Sequence, residues 1–171
     1  MYGENLDRLL CKVAIGYNRA FEKLYLQTKR GVFAFLYTYL HNYADTEDVM
    51  QTVYLKIKKG VSSYKKGTNA RAWILQIAKN SALNELKKHR EQVNFDSLEN
   101  HSVETFENLG EVTDVMQKVL TEEEQRIITL HVLWGYKHRE LALMLDVPTG
   151  TITSKYKRAV EKLKKHLKEV D

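Results

Sequence analysis

A single proline divides the C-terminal part of the chain into two helical segments, and this break limits the available folds more than any other feature. Residues 137–145 carry apolar side chains on one side of a helix, and residues 151–167 form a second, basic helix. Pro148, the only proline in the sequence, cannot lie inside a helix. Asp146 tolerates the left-handed conformation of a tight turn. The segment therefore predicts a helix, a turn and a helix.

The second helix, with Thr149 or Thr151 as its expected N-cap, has two faces. Its apolar positions recur at helical spacing: Ile152, Tyr156, Ala159, Val160, Leu163 and Leu167. Its polar face carries hydroxyl, ammonium and guanidinium groups: Ser154, Lys157, Arg158 and Lys165, with Lys155 on the flank. A rod with these groups suits the major groove of DNA. The alternative is an ordinary packed helix with a solvated basic face.

Composition favours an all-helical protein with two basic regions. The 171 residues include 8 glycines and 1 proline, and strand-like alternation is scarce. The net charge of +5 permits a nucleic-acid partner. Lysine and arginine concentrate in residues 65–90 and 137–168, whereas residues 91–111 are acidic and contain neither. We therefore expect two DNA-contacting modules separated by an acidic spacer.

Cysteine usage and hydropathy indicate the compartment. The one cysteine, Cys11, allows no internal disulfide. The N-terminal segment lacks a signal-peptide pattern, and no apolar run approaches the length of a membrane span. We expect a cytoplasmic protein that does not insert into membranes and is a monomer when free.

An acidic cluster opens the predicted helix ADTEDVMQTVYLKIKK. Asp45 is its expected N-cap, and Asp48 is expected in the first turn, where the helix dipole favours acids. Capping accounts for these two residues but not for Glu47 and Gln51. The four side chains together predict an exposed, amide-bearing acidic surface.

A polar stripe marks the helix predicted from its cap, Asn69, to about Glu91, which follows a loop expected to be mobile and basic. The stripe combines an indole, amides and a lysine at spacings of three and four: Trp73, Gln76, Asn80, Asn84 and Lys87. Amides hydrogen-bond to base edges, and indoles stack on unpaired bases. For Trp73 a packed core position remains an equal alternative, whereas for Asn80 nucleic-acid contact is favoured.

Residues 92–111 lack sustained periodicity and are predicted to be a flexible acidic linker between a domain at 1–91 and another at 112–171. In the second domain, Thr121 and Glu124 have the spacing of a capping box. The fold class is therefore all-α: two small helical domains joined by the linker, the C-terminal one a helix-turn-helix.

Three segments, in order, resemble signatures of the extracytoplasmic-function (ECF) sigma factors, the small two-domain members of the bacterial sigma-70 family. ADTEDVMQTVY resembles the region 2 signature, ARAWILQIAKNSALNELKKHR the segment that follows it, and residues 120–167 resemble region 4. The resemblance spans nearly the whole chain. Departures occur where the family commonly has Glu, Phe, an aromatic residue and two arginines: Thr52, Tyr54, Ala70, Thr153 and Val160.

The resemblance implies a transcription initiation factor whose partners are core RNA polymerase and promoter DNA, with an anti-sigma factor as a further candidate. The residues implied to dock the polymerase are Asp45, Glu47, Asp48 and Gln51. Those implied to recognise and open the −10 element are Tyr64, Lys65, Lys66, Arg71, Trp73, Gln76, Lys79, Asn80, Asn84 and Lys87. Those implied to read the −35 element are Thr151, Thr153, Ser154, Lys155, Lys157 and Arg158.

Two other classes of function remain to be weighed. A stand-alone helix-turn-helix regulator would bind duplex DNA without polymerase, but it needs neither the acidic surface nor the Trp/Asn stripe. An enzyme is disfavoured because the six histidines are scattered, and the sequence has no Cys/His metal spacing, phosphate loop or nucleophile motif. We therefore expect no catalytic residues, metal site or cofactor.

Overall fold

The computed structural model describes residues 5–92 and 109–170, and within these ranges it contains helices and turns but no strand. The all-α prediction is confirmed. The chain divides into two compact units, residues 1–103 and 104–171. The first holds α1 (Leu6–Ala14), α2 (Asn18–Leu40), α3 (Tyr43–Gly60), a 3-10 turn (Val61–Ser63) and α4 (Ala70–Gln92). The second holds α5 (Leu109–Val119), α6 (Glu122–Ile128), a π-helical turn (Thr129–Leu133), α7 (His138–Leu145) and α8 (Thr149–Val170).

Helix α2 forms the centre of the first unit and packs against α1, α3 and α4. All residues from Gly31 to Thr38 are buried, as expected for a helix segment that is covered on every side. The fully buried apolar side chains come from all four helices: Leu9, Leu10, Leu24, Val32, Phe33, Leu36, Val53, Ile57, Ile74, Ala78 and Ala82. This core fixes α3 and α4, which carry the candidate site.

A hydrogen bond between two buried hydroxyls ties α2 to α3. The Tyr54 hydroxyl lies 2.8 Å from Oγ1 of Thr28, and Thr28 itself donates to the carbonyl of Leu24 at 2.6 Å. Because that bond uses the only hydroxyl proton of Thr28, Tyr54 is the donor between the two. Tyr54, where the ECF signature has Phe, is 6% exposed, so its hydroxyl needs this partner.

The N-caps of α3 and α4 come from asparagines. For α3 the prediction was wrong: Asn42, not Asp45, is the N-cap, and its side-chain oxygen accepts the Asp45 N–H at 3.0 Å. The preceding residue, His41, is left-handed with φ 51°, which ends α2 and lets Asn42 adopt extended backbone. For α4 the predicted cap is confirmed, since Asn69 accepts the Ala72 N–H at 3.1 Å.

Helix α8 organises the second unit and packs against α5, α6 and α7. Its buried Ile152 and Ala159 lie within that core, and Ala159 shares a cluster with Met116, Leu120 and Ile128. The capping box at the start of α6 is confirmed: Thr121 N donates to Glu124 at 3.0 Å, and Glu124 N donates to Oγ1 of Thr121 at 3.3 Å.

The predicted helix-turn-helix is confirmed, with two corrections in α8. Asp146 is left-handed (φ 54°) and ends α7, as expected. Helix α8 begins at Thr149 itself, so Thr149 and Thr151 lie inside its first turn and neither is the N-cap. Leu167 is 60% exposed because it lies on the last turns of α8, beyond the packed stripe.

Both ends of the predicted linker are helical. Helix α4 extends to Gln92, and α5 begins at Leu109 rather than at residue 112. The remainder, residues 93–108, lies outside the described residues. No helix within the described ranges is both long and apolar enough to cross a membrane.

Candidate nucleic-acid interface

The acidic cluster lies on one side of α3. Asp48 and Gln51 are exposed, while Asp45 and Glu47 are half-buried. Because α3 begins at Tyr43, Asp48 lies in its second turn, so capping accounts for neither Asp48 nor Gln51. Burial, with a smaller contribution from the charge of Asp48, raises the pKa of Glu47.

Two residues that the sequence pattern did not assign adjoin this surface. His89 of α4 has its Nε2 atom 3.9 Å from Oδ2 of Asp45 and 3.5 Å from Oε1 of Glu85. Leu55 of α3 is 59% exposed. It follows Gln51 by four residues and therefore shares its side of the helix. This spacing was a readable signal.

The polar stripe of α4 borders an open groove of about 450 Å³. The groove brings Trp73, Asn80 and Asn84 together with three residues that the sequence pattern did not assign: Lys56, Gly60 and Ser63. Lys56 donates to Oγ of Ser81 at 3.0 Å. These three come from α3 and the turn after it, so helical spacing within α4 gave no signal for them.

Amide and aromatic contacts arrange the stripe. Gln76 and Asn80 are exposed and hydrogen-bonded to each other, with Nε2 of Gln76 2.9 Å from Oδ1 of Asn80. Trp73 is half-buried, and its ring meets that of Tyr64 edge-on at 5.4 Å. Trp73 thus has both a packed side and an accessible side.

The basic residues near the groove differ in exposure. Lys65, Lys66, Lys79 and Lys87 are exposed, while Arg71 and Tyr64 are half-buried. The Tyr64 hydroxyl donates to Oδ1 of Asp7 at 2.7 Å. Burial, and next this hydrogen bond, raise the pKa of Tyr64. The hydroxyl of this candidate DNA contact is therefore bonded inside the unit.

The polar face of α8 contains side chains of two kinds. Ser154, Lys157 and Arg158 are exposed, and the two cations extend from the helix surface. Thr151, Thr153 and Lys155 are half-buried.

Two candidate −35 contacts already have side-chain partners in the second unit. Oγ1 of Thr153 lies 3.1 Å from Nδ1 of His138 and donates to the carbonyl of Thr149 at 3.0 Å. The ammonium group of Lys155 forms an ion pair with Glu123 of α6. Neither partner was identified from the sequence, because α6, α7 and α8 meet only in the folded unit.

In the described part of the chain, no group of three or more His, Cys, Asp or Glu side chains is arranged to hold a metal ion.

Comparison with known proteins identifies both units. The family model of sigma-70 region 2 matches residues 24–92, and that of sigma-70 region 4 matches residues 116–163. The ECF RNA polymerase sigma-E factor of Escherichia coli K12 is 26% identical, covering 90% of this chain and 89% of the relative. The probable RNA polymerase sigma-C factor of Mycobacterium bovis is 24% identical, covering 94% of this chain and 90% of the relative.

Solved structures agree on the fold. CnrH, in complex with the cytosolic domain of CnrY, matches 98% of this chain and all of its own with a TM-score of 0.62 and 20% identity. The sigma factor RpoE, in complex with the anti-sigma factor NepR from Bartonella quintana, matches 88% of this chain and 98% of its own with a TM-score of 0.61 and 22% identity. With region 2 and region 4 matched in order on its two helical units, the chain belongs to the sigma-70 family, as an RNA polymerase sigma factor of the ECF type.

Proposed function

We propose that this sigma factor divides promoter recognition between its units. The first, residues 1–91, binds core RNA polymerase and opens the −10 element. The second, residues 112–171, reads the −35 element, and residues 92–111 connect them. The groove beside α4 is the observation that carries the proposal, because it gathers an indole, two amides and a lysine around a space open to solvent.

Polymerase docking is assigned to the side of α3 formed by Asp45, Glu47, Asp48 and Gln51. Acidic groups with an exposed apolar side chain, Leu55, beside them suit a basic partner surface that also has an apolar contact. A stand-alone regulator does not need this acidic surface of α3, and the region 2 match over residues 24–92 also disfavours that alternative.

Strand opening is assigned to the groove and its basic border. Aromatic faces stack on unpaired bases, and amides bond to their edges. Trp73, Gln76, Asn80 and Asn84 provide these groups, and Lys79 and Lys87 lie on the same helix within reach of phosphates. Tyr64, Lys65, Lys66 and Arg71 extend the positive surface along the loop and the start of α4.

Reading of the −35 element is assigned to α8. Ser154, Lys157 and Arg158 are its exposed contacts, and Thr151, Thr153 and Lys155 complete the face. A guanidinium bonds to guanine with two hydrogen bonds in the major groove, so Arg158 is the strongest single candidate for base reading.

The remaining proposals concern partners and setting. An anti-sigma factor is a candidate partner, by analogy with the complex of RpoE with NepR. The chain acts by binding, with no catalytic step of its own, and it works where its polymerase does, in the cytoplasm.

Permanganate reactivity of promoter thymines tests the groove. Asn80→Ala should reduce strand opening by the holoenzyme while core binding stays unchanged, because the amide is needed only for an unpaired base. Gln27→Ala, which removes an exposed amide from α2, is the matched control. Normal opening with Asn80→Ala would refute the role of Asn80.

Footprinting should show both elements protected only after core polymerase is added, and strong protection of both by the free chain would favour the stand-alone regulator.

A further inference from the structure

One carboxylate oxygen of α1 holds the loop between α3 and α4. The hydroxyl of Tyr64 donates to Oδ1 of Asp7 at 2.7 Å, and the backbone N–H of Gly67 donates to the same oxygen at 2.8 Å. Asp7 thus joins two points of the loop to a helix that lies nearly sixty residues earlier in the sequence. The expectation of a mobile loop from its glycines and lysines did not include this contact.

Both ends of the contact are themselves fixed. Asn5 caps α1 by accepting the Asp7 N–H at 2.8 Å, and Leu9 and Leu10 anchor the same helix in the core with no exposed surface. On the loop side, the Tyr64 ring packs edge-on against Trp73. The carboxylate therefore connects a core-anchored helix to a residue whose ring packs on Trp73, a side chain that lines the groove.

The loop is shaped between these two bonds. Gly67 has φ 82°, a left-handed conformation that favours glycine, and the hydroxyl of Thr68 donates to the carbonyl of Lys65 at 2.7 Å. Lys65 and Lys66 lie between the bonded residues, Tyr64 and Gly67, and are exposed. Two ammonium groups are thus presented from a loop that is tied on either side of them.

The electrostatics of the contact favour the charged carboxylate. The hydrogen bond from Tyr64, then that from Gly67, lower the pKa of Asp7, and the charge of Lys66 adds to the effect. Asp7 is therefore ionised at neutral pH and accepts both bonds. A loop ordered before binding avoids the entropy cost of ordering when a nucleic-acid strand arrives.

We propose that Asp7 is a positioning residue for strand opening: it sets the loop of residues 61–69 so that Lys65, Lys66 and the Tyr64 ring face the unpaired −10 strand. This inference rests on the proposed role of the groove and its basic border. It also divides the role of Tyr64: the hydroxyl holds the loop through its hydrogen bond to Asp7, and the ring is the part that contacts the nucleic acid.

Opening kinetics of the holoenzyme and hydrogen exchange of the free chain test the proposal together. Asp7→Ala should slow strand opening about tenfold or more, the effect of losing one or two hydrogen bonds to a charged group. It should also speed amide hydrogen exchange across residues 61–69 while core binding stays unchanged. Asp7→Asn keeps an oxygen that accepts both bonds and should open DNA nearly as the wild type does.

Tyr64→Phe provides a second variant that leaves α1 untouched. It removes one of the two bonds, so its opening rate should lie between those of the wild type and Asp7→Ala. The double variant should be little slower than Asp7→Ala alone, because the one further bond that Tyr64→Phe removes, from its hydroxyl to the carbonyl of Thr68 at 3.1 Å, lies within the loop itself. Normal opening by both Asp7→Ala and Tyr64→Phe would overturn the proposal, as would an Asp7→Asn variant as slow as Asp7→Ala.

A loop variant separates failure of this inference from failure of the proposed function. Replacing both Lys65 and Lys66 with Ala removes the loop charges but leaves the Asp7 contacts. If this variant opens DNA slowly while Asp7→Ala is normal, the loop contacts DNA and Asp7 does not position it. If the lysine variant itself opens DNA normally, the proposed function of the loop fails, and the positioning role fails with it.

Discussion

Lys162 of α8 places its ammonium nitrogen 3.0 and 2.8 Å from the two carboxylate oxygens of Glu124 in α6. Glu124 is only 3% exposed, and one of its oxygens also accepts the Thr121 N–H of the capping box. Although burial opposes ionisation, these bonds lower the pKa of Glu124. One carboxylate thus starts α6 and fastens it to α8.

Glu124→Ala should therefore destabilise the second unit by about 1.5–3 kcal/mol, the range for a lost hydrogen bond to a charged group. Amide hydrogen exchange in α6 and α8, followed through a urea titration, measures the change in the free energy of unfolding of the second unit alone. Glu161→Ala, an exposed acid of α8, should stay within about 0.5 kcal/mol of the wild type. Equal effects of the two variants would contradict the role of Glu124.

The ion pair between Glu123 and Lys155 predicts a variant with stronger DNA binding. Glu123→Ala should leave Lys155 available to phosphate, so that affinity for a −35 duplex rises and the logarithmic salt dependence steepens by about one ion. Titrations at several salt concentrations give both quantities. Glu161→Ala removes the same charge without freeing Lys155, and an equal gain from it would indicate a general charge effect instead.

Three rings at the joint of α7 and α8 predict a pH dependence. The rings of His131, His138 and Tyr156 lie 4.7–5.0 Å apart, and Nε2 of His138 is buried without a hydrogen-bond partner among the described residues. Burial, and next the nearby His131, lower the pKa of His138 from its usual 6.5. The unfolded chain therefore binds this proton more readily than the folded unit does.

The second unit should consequently lose stability as pH falls through 6.5 towards the lowered pKa of His138, and His138→Asn should flatten this loss. Melting curves from about pH 7.5 to about pH 5.5 test it, since they span the ordinary histidine range. The lowered pKa of Glu124 acts in a separate window, below 4.5. His166→Asn, outside the ring cluster, serves as the control, and an unchanged slope for His138→Asn would exclude His138 as its source.

Reversing a charge on α3 tests polymerase docking. Asp48→Lys should weaken binding to core polymerase but leave the melting temperature nearly unchanged, because the residue is exposed and does not cap the helix. Leu55→Ser should weaken binding in the same pull-down if the docking surface reaches that far. Glu22→Lys, an exposed reversal on α2, serves as the control. Binding unaffected by Asp48→Lys would remove the residue from the interface.

The hydroxyl pair in the first unit predicts unequal effects of two similar substitutions. Tyr54→Phe leaves Thr28 bonded to Leu24 and should cost about 0.5–1.5 kcal/mol, whereas Thr28→Val leaves the buried Tyr54 hydroxyl unpaired and should cost about 1–3 kcal/mol. Urea titrations in which amide hydrogen exchange is followed in α2 and α3 compare the free energies of unfolding of the two variants. The reverse order would mean that the donor assignment is wrong.

Sequence patterns predicted those features whose causes are local. The left-handed turn at Asp146, the capping box of Thr121 and Glu124, and the shared face of Asn80 and Asn84 all follow from spacings of a few residues. The N-cap of α3 was missed because Asn42 and Asp45 are both suitable caps, and the choice depends on the backbone of His41 where α2 ends.

Features that depend on tertiary contacts were beyond such patterns. Lys56 borders the groove from α3, whereas the polar stripe lies on α4. Asp7 and Tyr64 are hydrogen-bonded although they lie 57 residues apart in the sequence. These contacts join residues from different helices, so they could be identified only in the folded structure.

The direction of the hydrogen bond between Tyr54 and Thr28 also orders the steps by which descendants of this chain could lose it. If Phe replaces Tyr54 first, the Thr28 hydroxyl keeps its bond to the carbonyl of Leu24, and position 28 is then free to drift towards an apolar residue. If Thr28 changes first, the lineage must pass through an intermediate with an orphaned phenol. Mutational paths from this tyrosine to the family's phenylalanine should therefore begin with Tyr54→Phe while Thr28 is still in place.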